Sequence, residues 1–429
     1  MPRTAAPDTT IALLRDPYRF ISRTCALLQS DVFETRIQLQ RTICMRGRDA
    51  AELICDPGRF VRQGAAPVRI EKTLFGQGGV QGLDGAAHRR RKAMFMTIAS
   101  PDRVADLVAR VRDELVAAAR AWGWRRQVAL YPAVQRVLTR AVCSWAGVPL
   151  AEAEIGERTA DLAALFDRAA ALGPPHWRAR WARRRCERWA ADLVSEVRSG
   201  RIKAQPHEAL FAVSWHRDGE AVLPARVAAV ELLNVLRPTV AVSVFVLFVA
   251  HAIHEHPAHR QRLAADPAFR RAFVEEVRRF YPFFPAIAAR VSRDFEWRGY
   301  VFPRGTRALL DLYGTDHDSR AWEEPRSFRP ERFIGREAGR FGSIPQGPGD
   351  AHVHHRCPGE RIAVELMELA AGFLAGEIDY SLPPQDLELD WSRVPAVPRS
   401  RIILSRVMGR ASSAAARRSP RRAAGPSLA

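Results

Sequence analysis

The strongest constraint in this chain is one apolar stretch. Residues 232–250 read LLNVLRPTVAVSVFVLFVA, with Arg237 as the only charged residue and Pro238 directly behind it. A helix that is apolar on every face has to be enclosed by the rest of its protein or by lipid. The uninterrupted apolar part, residues 238–250, is too short to span a bilayer and begins beside a permanent cation. The stretch is therefore expected to be the middle of a long buried helix in a soluble protein, without an integral membrane segment. Arg237 then needs an explanation. A guanidinium stays charged at neutral pH, so its burial demands a partner. One turn away on its own helix stand Leu233, Asn234, Val240 and Ala241, none of them a carboxylate. Pro238 removes a backbone N–H and frees the carbonyl one turn back, opening the helix locally. Two readings remain: a carboxylate from elsewhere in the core, or an anion that arrives from outside and is gripped bidentately.

The 429 residues, 47% of them hydrophobic, suffice for a large core. Helical periodicity dominates, with broken helices over residues 10–55 and stronger ones over 103–122, 127–146 and 177–197. In the last of these, Trp177, Trp181, Trp189 and Leu193 share a stripe that is expected to pack, with arginines facing water. Residues 295–301 and 308–313 read as short strands punctuated by Gly299 and Gly305. The fold class expected is mainly α with small β-sheets, as a single domain over residues 1–405. Residues 406–429, rich in Ala, Ser, Arg and Pro, read as a disordered tail.

The formal charge is +19, yet the arginines are scattered along the whole chain among alanines. That is a compositional habit rather than a nucleic-acid footprint, and no nucleic-acid-binding motif accompanies it. The six cysteines contain no C-x-x-C pair, and the N-terminus shows no basic segment leading into an apolar one. A reducing, cytoplasmic location is expected.

Three motifs carry chemistry. Cys357, in HHRCPGERIAVELMELAAGFL, precedes an amphipathic helix whose first turn would begin at Pro358. Free N–H groups there stabilise a thiolate, and Gly359 leaves room for something flat beside the sulfur. A merely structural cysteine is the competing reading. Glu276 and Arg279 lie one turn apart in FVEEVRRFYP, a helix face that Pro282 ends. Arg332 lies in the loop SFRPERF.

The order of these three motifs resembles the cytochromes P-450, which carry E-x-x-R, then P-x-R-F, then a cysteine loop running into a helix. The resemblance spans roughly residues 10–405. It implies the P-450 fold, a single haem domain, haem b with Cys357 as the iron's thiolate ligand, and a structural network of Glu276, Arg279 and Arg332. Two departures stand out. The cysteine loop IPQGPGDAHVHHRCPGE is longer than usual, with His355 two residues before the cysteine. The acid–alcohol pair that ordinarily relays protons is absent between Asn234 and Ile253, where Arg237 and Pro238 stand instead. Both departures resemble the fatty-acid peroxygenase branch, as do LRPTVA, IPQG, HRCPGE and residues 74–95 and 278–297.

That resemblance implies an enzyme using hydrogen peroxide to hydroxylate long-chain fatty acids at the α or β carbon, without a redox partner. Arg237 would hold the substrate carboxylate, which acts as acid and base in place of the missing pair; Pro238 would shape the helix there. Gln81 would stand on the distal side, where some relatives have His, and would favour hydroxylation over decarboxylation to a terminal alkene. Phe75 and Phe284 would line the acyl channel, and His88 and Lys92 would reach the haem propionates. Alternatives are a conventional monooxygenase driven by NAD(P)H through redox partners, a non-haem metal site at His352, His354, His355 and Cys357, and a catalytically inactive binding protein.

Overall fold

The computed structural model describes residues 1–336 and 339–410. Its centre is the helix Ala225–Glu255, which contains the apolar stretch. By length and hydropathy this helix could cross a membrane, but 94% of its most apolar window is buried inside the protein. It packs against Leu130–Ala146, Ile155–Asp167, Pro174–Arg198 and Glu360–Gly372, which cover it on all sides. The helix continues through Pro238 without a break. The expected opening therefore reduces to one missing bond: Pro238 has no N–H to offer the carbonyl of Asn234.

Local chemistry explains where the supporting helices start and stop. Pro101 opens Pro101–Gly123 at its first position, where a missing N–H does no harm. Leu130–Ala146 ends at Gly147, whose φ of 75° is the left-handed conformation that terminates helices. Strand Gln127–Ala129 occupies the start of the segment expected as helix from residue 127, so that helix begins three residues later.

A five-stranded sheet lies beside the helices in the order Val32–Ile37, Gln40–Met45, Arg307–Asp311, Ala286–Val291, Phe60–Val61. Its one parallel pairing joins Gln40–Met45 to Arg307–Asp311. The expectation of broken helices over residues 10–55 is therefore only partly met. Thr10–Arg15, Phe20–Leu27 and Arg48–Leu53 are helical, but residues 32–45 form an antiparallel hairpin. The partner that stabilises this hairpin as sheet lies more than 260 residues away, beyond any local pattern. The single short strand expected over residues 295–301 is instead a hairpin, in which Phe295–Trp297 pairs with Tyr300–Phe302 across a turn at Arg298 and Gly299.

Two further expectations need correction. On Pro174–Arg198 the buried stripe is His176, Ala179, Ala182, Arg183, Cys186, Ala190 and Leu193. Of the expected stripe, Trp177 and Trp181 are 61% and 62% exposed, while Trp189 packs partly buried against the core and Leu193 is buried. Small residues, not tryptophans, let this helix approach the central one. The strand Ile403–Gly409 crosses the boundary placed at residue 405, pairing with Gln127–Ala129 and Ile378–Ser381. Residues 411–429 of the expected tail lie outside the described residues.

Candidate active site

Cys357 stands at the end of a long loop, and the helix behind it begins at Glu360, so Pro358 and Gly359 form a turn rather than the first helical residues. The Cys357 N–H donates to the Gln346 carbonyl at 3.1 Å. The sulfur faces a cavity of 580 Å³, and loss of water there raises its pKa, opposed by Lys92, the Gly359 N–H and Arg237. A Cβ added at Gly359 would lie 3.9 Å from the sulfur, so glycine keeps that side open.

Buried ion pairs hold this loop in place. Glu276 receives both arms of Arg279, at 2.7 and 2.8 Å, and both side chains are fully enclosed. Arg332 adds a third contact to Glu276 at 3.2 Å. The Arg279 Nη1 donates to the carbonyls of Asp316 and Pro325, each at 2.9 Å, and the Asp316 carboxylate accepts the Ile344 N–H at 2.7 Å. The three residues read from the sequence are thus brought together, and they tie the helix Pro267–Phe280 to the cysteine loop. Sequence reasoning missed a second brace. Arg278 donates to Gln346 at 3.0 Å and pairs with Glu360, which also holds Arg356 next to the cysteine. Burial alone would raise the Glu360 carboxyl, but these two cations outweigh it and take the group down to about 2. The i,i+4 spacing of Arg356 and Glu360 was the available signal.

Arg237, which lines the same cavity, is 6% exposed, and no carboxylate pairs with it among the described residues. Its Nη2 donates to Asn234 Oδ1 at 3.3 Å, and its Nε has no partner. Burial, with Arg183 nearby, pushes its pKa down to about 9. A carboxylate from elsewhere in the core is therefore not what the protein supplies. Gln81, in the turn Val80–Gly82, accepts the Asn234 amide at 3.2 Å.

Arg237, Pro238, Gln81, Phe75, Phe284, His88, Lys92 and Cys357 all line the one cavity. His88 stacks on His355 at 3.9 Å, and burial beside Lys92 lowers its pKa to about 4, so it is a neutral imidazole. Lys92 Nζ donates to the carbonyls of His354 and Arg356. Arg62, missed in the sequence, lines the same end of the cavity and donates to the Ala288 carbonyl at 2.6 Å. The histidines before Cys357 do not converge: His354 Nδ1 accepts the Asp350 N–H while His355 stacks on His88. Among the described residues no three metal-ligating side chains gather.

The Cytochrome P450 family model matches residues 254–384. Cytochrome P450SP alpha (CYP152B1), in complex with (R)-ibuprophen, is 48% identical with a TM-score of 0.92, covering 94% of this chain and 99% of that one. The chain belongs to the cytochrome P450 family. Within it, the chain lies in the fatty-acid peroxygenase branch. Wild-type cytochrome P450EX alpha (CYP152N1) with myristic acid is 43% identical, with a TM-score of 0.93, covering 95% of this chain and 99% of that one. A variant of cytochrome P450 OleT in complex with arachidonic acid is 31% identical, with a TM-score of 0.92, covering 95% and 98%. Curated plant P450s match over less than a third of the chain. Cytochrome P450 71A8 from Mentha piperita is 33% identical over 138 residues, 31% of this chain, and the match spans 27% of that protein. Vinorine hydroxylase from Rauvolfia serpentina is 35% identical over 133 residues, 29% of this chain and 27% of its own length.

A P450 carries a thiolate-ligated haem, and the cavity fits one. Cys357 offers a sulfur beside the gap left by Gly359, and Arg62, His88 and Lys92 put donors for propionate groups in the same cavity.

Proposed function

We propose that this P450 is a peroxygenase that uses hydrogen peroxide to hydroxylate long-chain fatty acids at the α or β carbon, without a redox partner. One observation carries the reading. Arg237 is a buried cation with no carboxylate partner among the described residues, and it faces the cavity that also holds Cys357. A buried unpaired guanidinium is a liability in the free protein and a receptor in the presence of an anion. A fatty-acid carboxylate satisfies the charge and both free faces of the fork.

Haem bound through Cys357 supplies the oxidising chemistry, because a thiolate ligand favours O–O cleavage. The protein's own residues do the rest. Arg237 anchors the head group, which leaves the α and β carbons as the part of the substrate nearest the reaction centre. The carboxylate oxygen facing the peroxide takes its proton and returns it to the departing oxygen, which is general acid–base catalysis by the substrate. Pro238 leaves the Asn234 carbonyl without its helical donor beside this group. Phe75, Phe245, Phe283 and Phe284 form apolar walls for the chain, and the cavity extends past them to Leu13, Leu14 and Ile37. Gln81 stands at the carboxylate end, where its identity bears on hydroxylation against decarboxylation. The six free cysteines agree with a cytoplasmic location.

The holoprotein, reduced under carbon monoxide, is expected to give the red-shifted Soret band of a thiolate-ligated haem. With peroxide and a long-chain fatty acid, mass spectrometry should find 2- and 3-hydroxy products. Arg237→Ala should abolish this turnover and leave the carbon monoxide band intact. Undiminished turnover in that variant would refute substrate-assisted catalysis. Turnover that requires NAD(P)H and a reductase would favour a conventional monooxygenase.

A further inference from the structure

Glu231 lies two helical steps of three residues before Arg237, with Asn234 midway. It is a fully buried carboxylate outside the segment where a P450 proton relay would sit, and nothing in the mechanism above uses it. Its Oε1 accepts Arg91 Nη1 at 2.5 Å, and its Oε2 accepts Asn234 Nδ2 at 2.9 Å. The Val80 N–H, in the turn that carries Gln81, also faces this carboxylate. Both arms of the head-group site are therefore attached to one acid: Arg237 through Asn234, and Gln81 through Val80 and Asn234.

The chemistry of an amide makes this attachment directional. A carboxylate only accepts hydrogen bonds, so Asn234 has to turn its NH₂ toward Glu231 and its carbonyl oxygen the other way. That oxygen then receives Arg237 Nη2 at 3.3 Å and holds one arm of the guanidinium. The same NH₂ reaches Gln81 Oε1 at 3.2 Å, which commits the Gln81 oxygen and leaves its NH₂ free. Flipping Asn234 would set its oxygen against the Glu231 carboxylate and its NH₂ against the Arg237 guanidinium, two repulsive contacts at once. We propose that Glu231 is a positioning residue that sets the hydrogen-bond polarity of the head-group site, so that Arg237 and Gln81 both present donors to the substrate carboxylate. Arg91, buried on the helix Gly85–Ile98, neutralises Glu231 and keeps its charge from opposing the incoming anion. The inference rests on the fatty-acid reading above.

The test is the affinity of the holoprotein for myristic acid, read from the Soret shift on titration. Glu231→Gln removes the acceptor-only group, lets Asn234 flip, and is expected to weaken myristate binding about tenfold, the scale of one charge-assisted hydrogen bond. The carbon monoxide band should not change. In an Asn234→Ala background the same substitution should have no further effect, because the path through Asn234 is already gone; a purely structural role would instead add to it. Should Glu231→Gln fail to take up haem because Arg91 is left unpaired, the double variant Glu231→Gln with Arg91→Met removes both charges, and the same weakening is expected. Unchanged or tighter myristate binding overturns the inference, as does an undiminished effect in the Asn234→Ala background. Arg237→Ala separates the two levels. If it leaves myristate affinity intact, the fatty-acid reading fails; if it abolishes binding while Glu231→Gln does nothing, only the role of Glu231 fails.

Discussion

Replacing Arg237 with Met should make the substrate-free protein more stable while removing its ability to bind fatty acids. The magnitude follows from the burial of the guanidinium. Burial takes its pKa from the free arginine value down to about 9. At about 1.36 kcal/mol per unit the charged form is disfavoured in the fold by up to about 5 kcal/mol. Methionine fills much of the same volume without a charge, and such replacements of buried ionic groups gain about 1–4 kcal/mol. In a chain this long, a gain of about 1–4 kcal/mol raises Tm by roughly 1–4 °C. The sign with pH is fixed as well. The pKa is lower in the folded state, so the penalty on the wild type is complete below about pH 9 and shrinks as pH rises above that value. The assay is thermal unfolding of both holoproteins at one scan rate, with and without saturating myristate. Ligand at a hundredfold its Kd should stabilise the wild type by about 2.7 kcal/mol and leave Arg237→Met unmoved. A variant that is less stable than the wild type, or that myristate stabilises equally, would refute the view of Arg237 as a cation held for an external carboxylate.

Glu276→Gln should weaken the brace under the cysteine loop by about 3–5 kcal/mol, because Arg279 and Arg332 lose a common buried anion, and the yield of haem-loaded protein reports it. Trp181→Ala should change stability by less than about 0.5 kcal/mol in a denaturant titration, since the ring lies on the solvent face of its helix. His317 is buried beside Arg279, which takes its pKa down to about 3. An unfolded histidine binds a proton below about pH 6.5, so stability is complete above that pH and is lost as pH falls toward 3. Between pH 6.5 and 5 this one residue removes about 2 kcal/mol, and His317→Phe should flatten that part of the stability–pH curve by the same amount.

The chemistry of the site was more legible in the sequence than the fold that carries it. Cys357 before a helix, Glu276 and Arg279 one turn apart, and a lone cation in an apolar run are local patterns, and local patterns survive in one dimension. The hairpin at residues 32–45 depends on Arg307–Asp311, and short strands at a sheet edge carry too few residues for their alternation to outweigh a helical reading. The first half of the Trp stripe, Trp177 and Trp181, failed for another reason. Periodicity shows that residues share a face, but which face packs depends on how closely two helices approach, and here alanines and Cys186 decide that. Glu231 escaped because its partner Arg91 is 140 residues away and its tie to Val80 is tertiary. Arg62 escaped because one arginine among so many carries no signal.

The distinction between structural and functional arginines rests on their acceptors. Among the described residues six arginines are buried, at positions 91, 183, 237, 278, 279 and 307. Arg91, Arg183, Arg278 and Arg279 each meet a carboxylate, from Glu231, Glu187, Glu275 with Glu360, and Glu276 respectively. Arg307 meets none, yet it makes three bonds to the Thr42 hydroxyl and the Ile37 carbonyl. Arg237 has a single amide oxygen at 3.3 Å. Burying a guanidinium this poorly satisfied is sustainable only if the rest of the fold is stable enough to carry it and an anion relieves it in use. The arginines paired with carboxylates around the cysteine loop and the cation left without one therefore follow one rule: where the fold needs rigidity it supplies the anion itself, and where it needs a substrate it leaves the anion to the substrate.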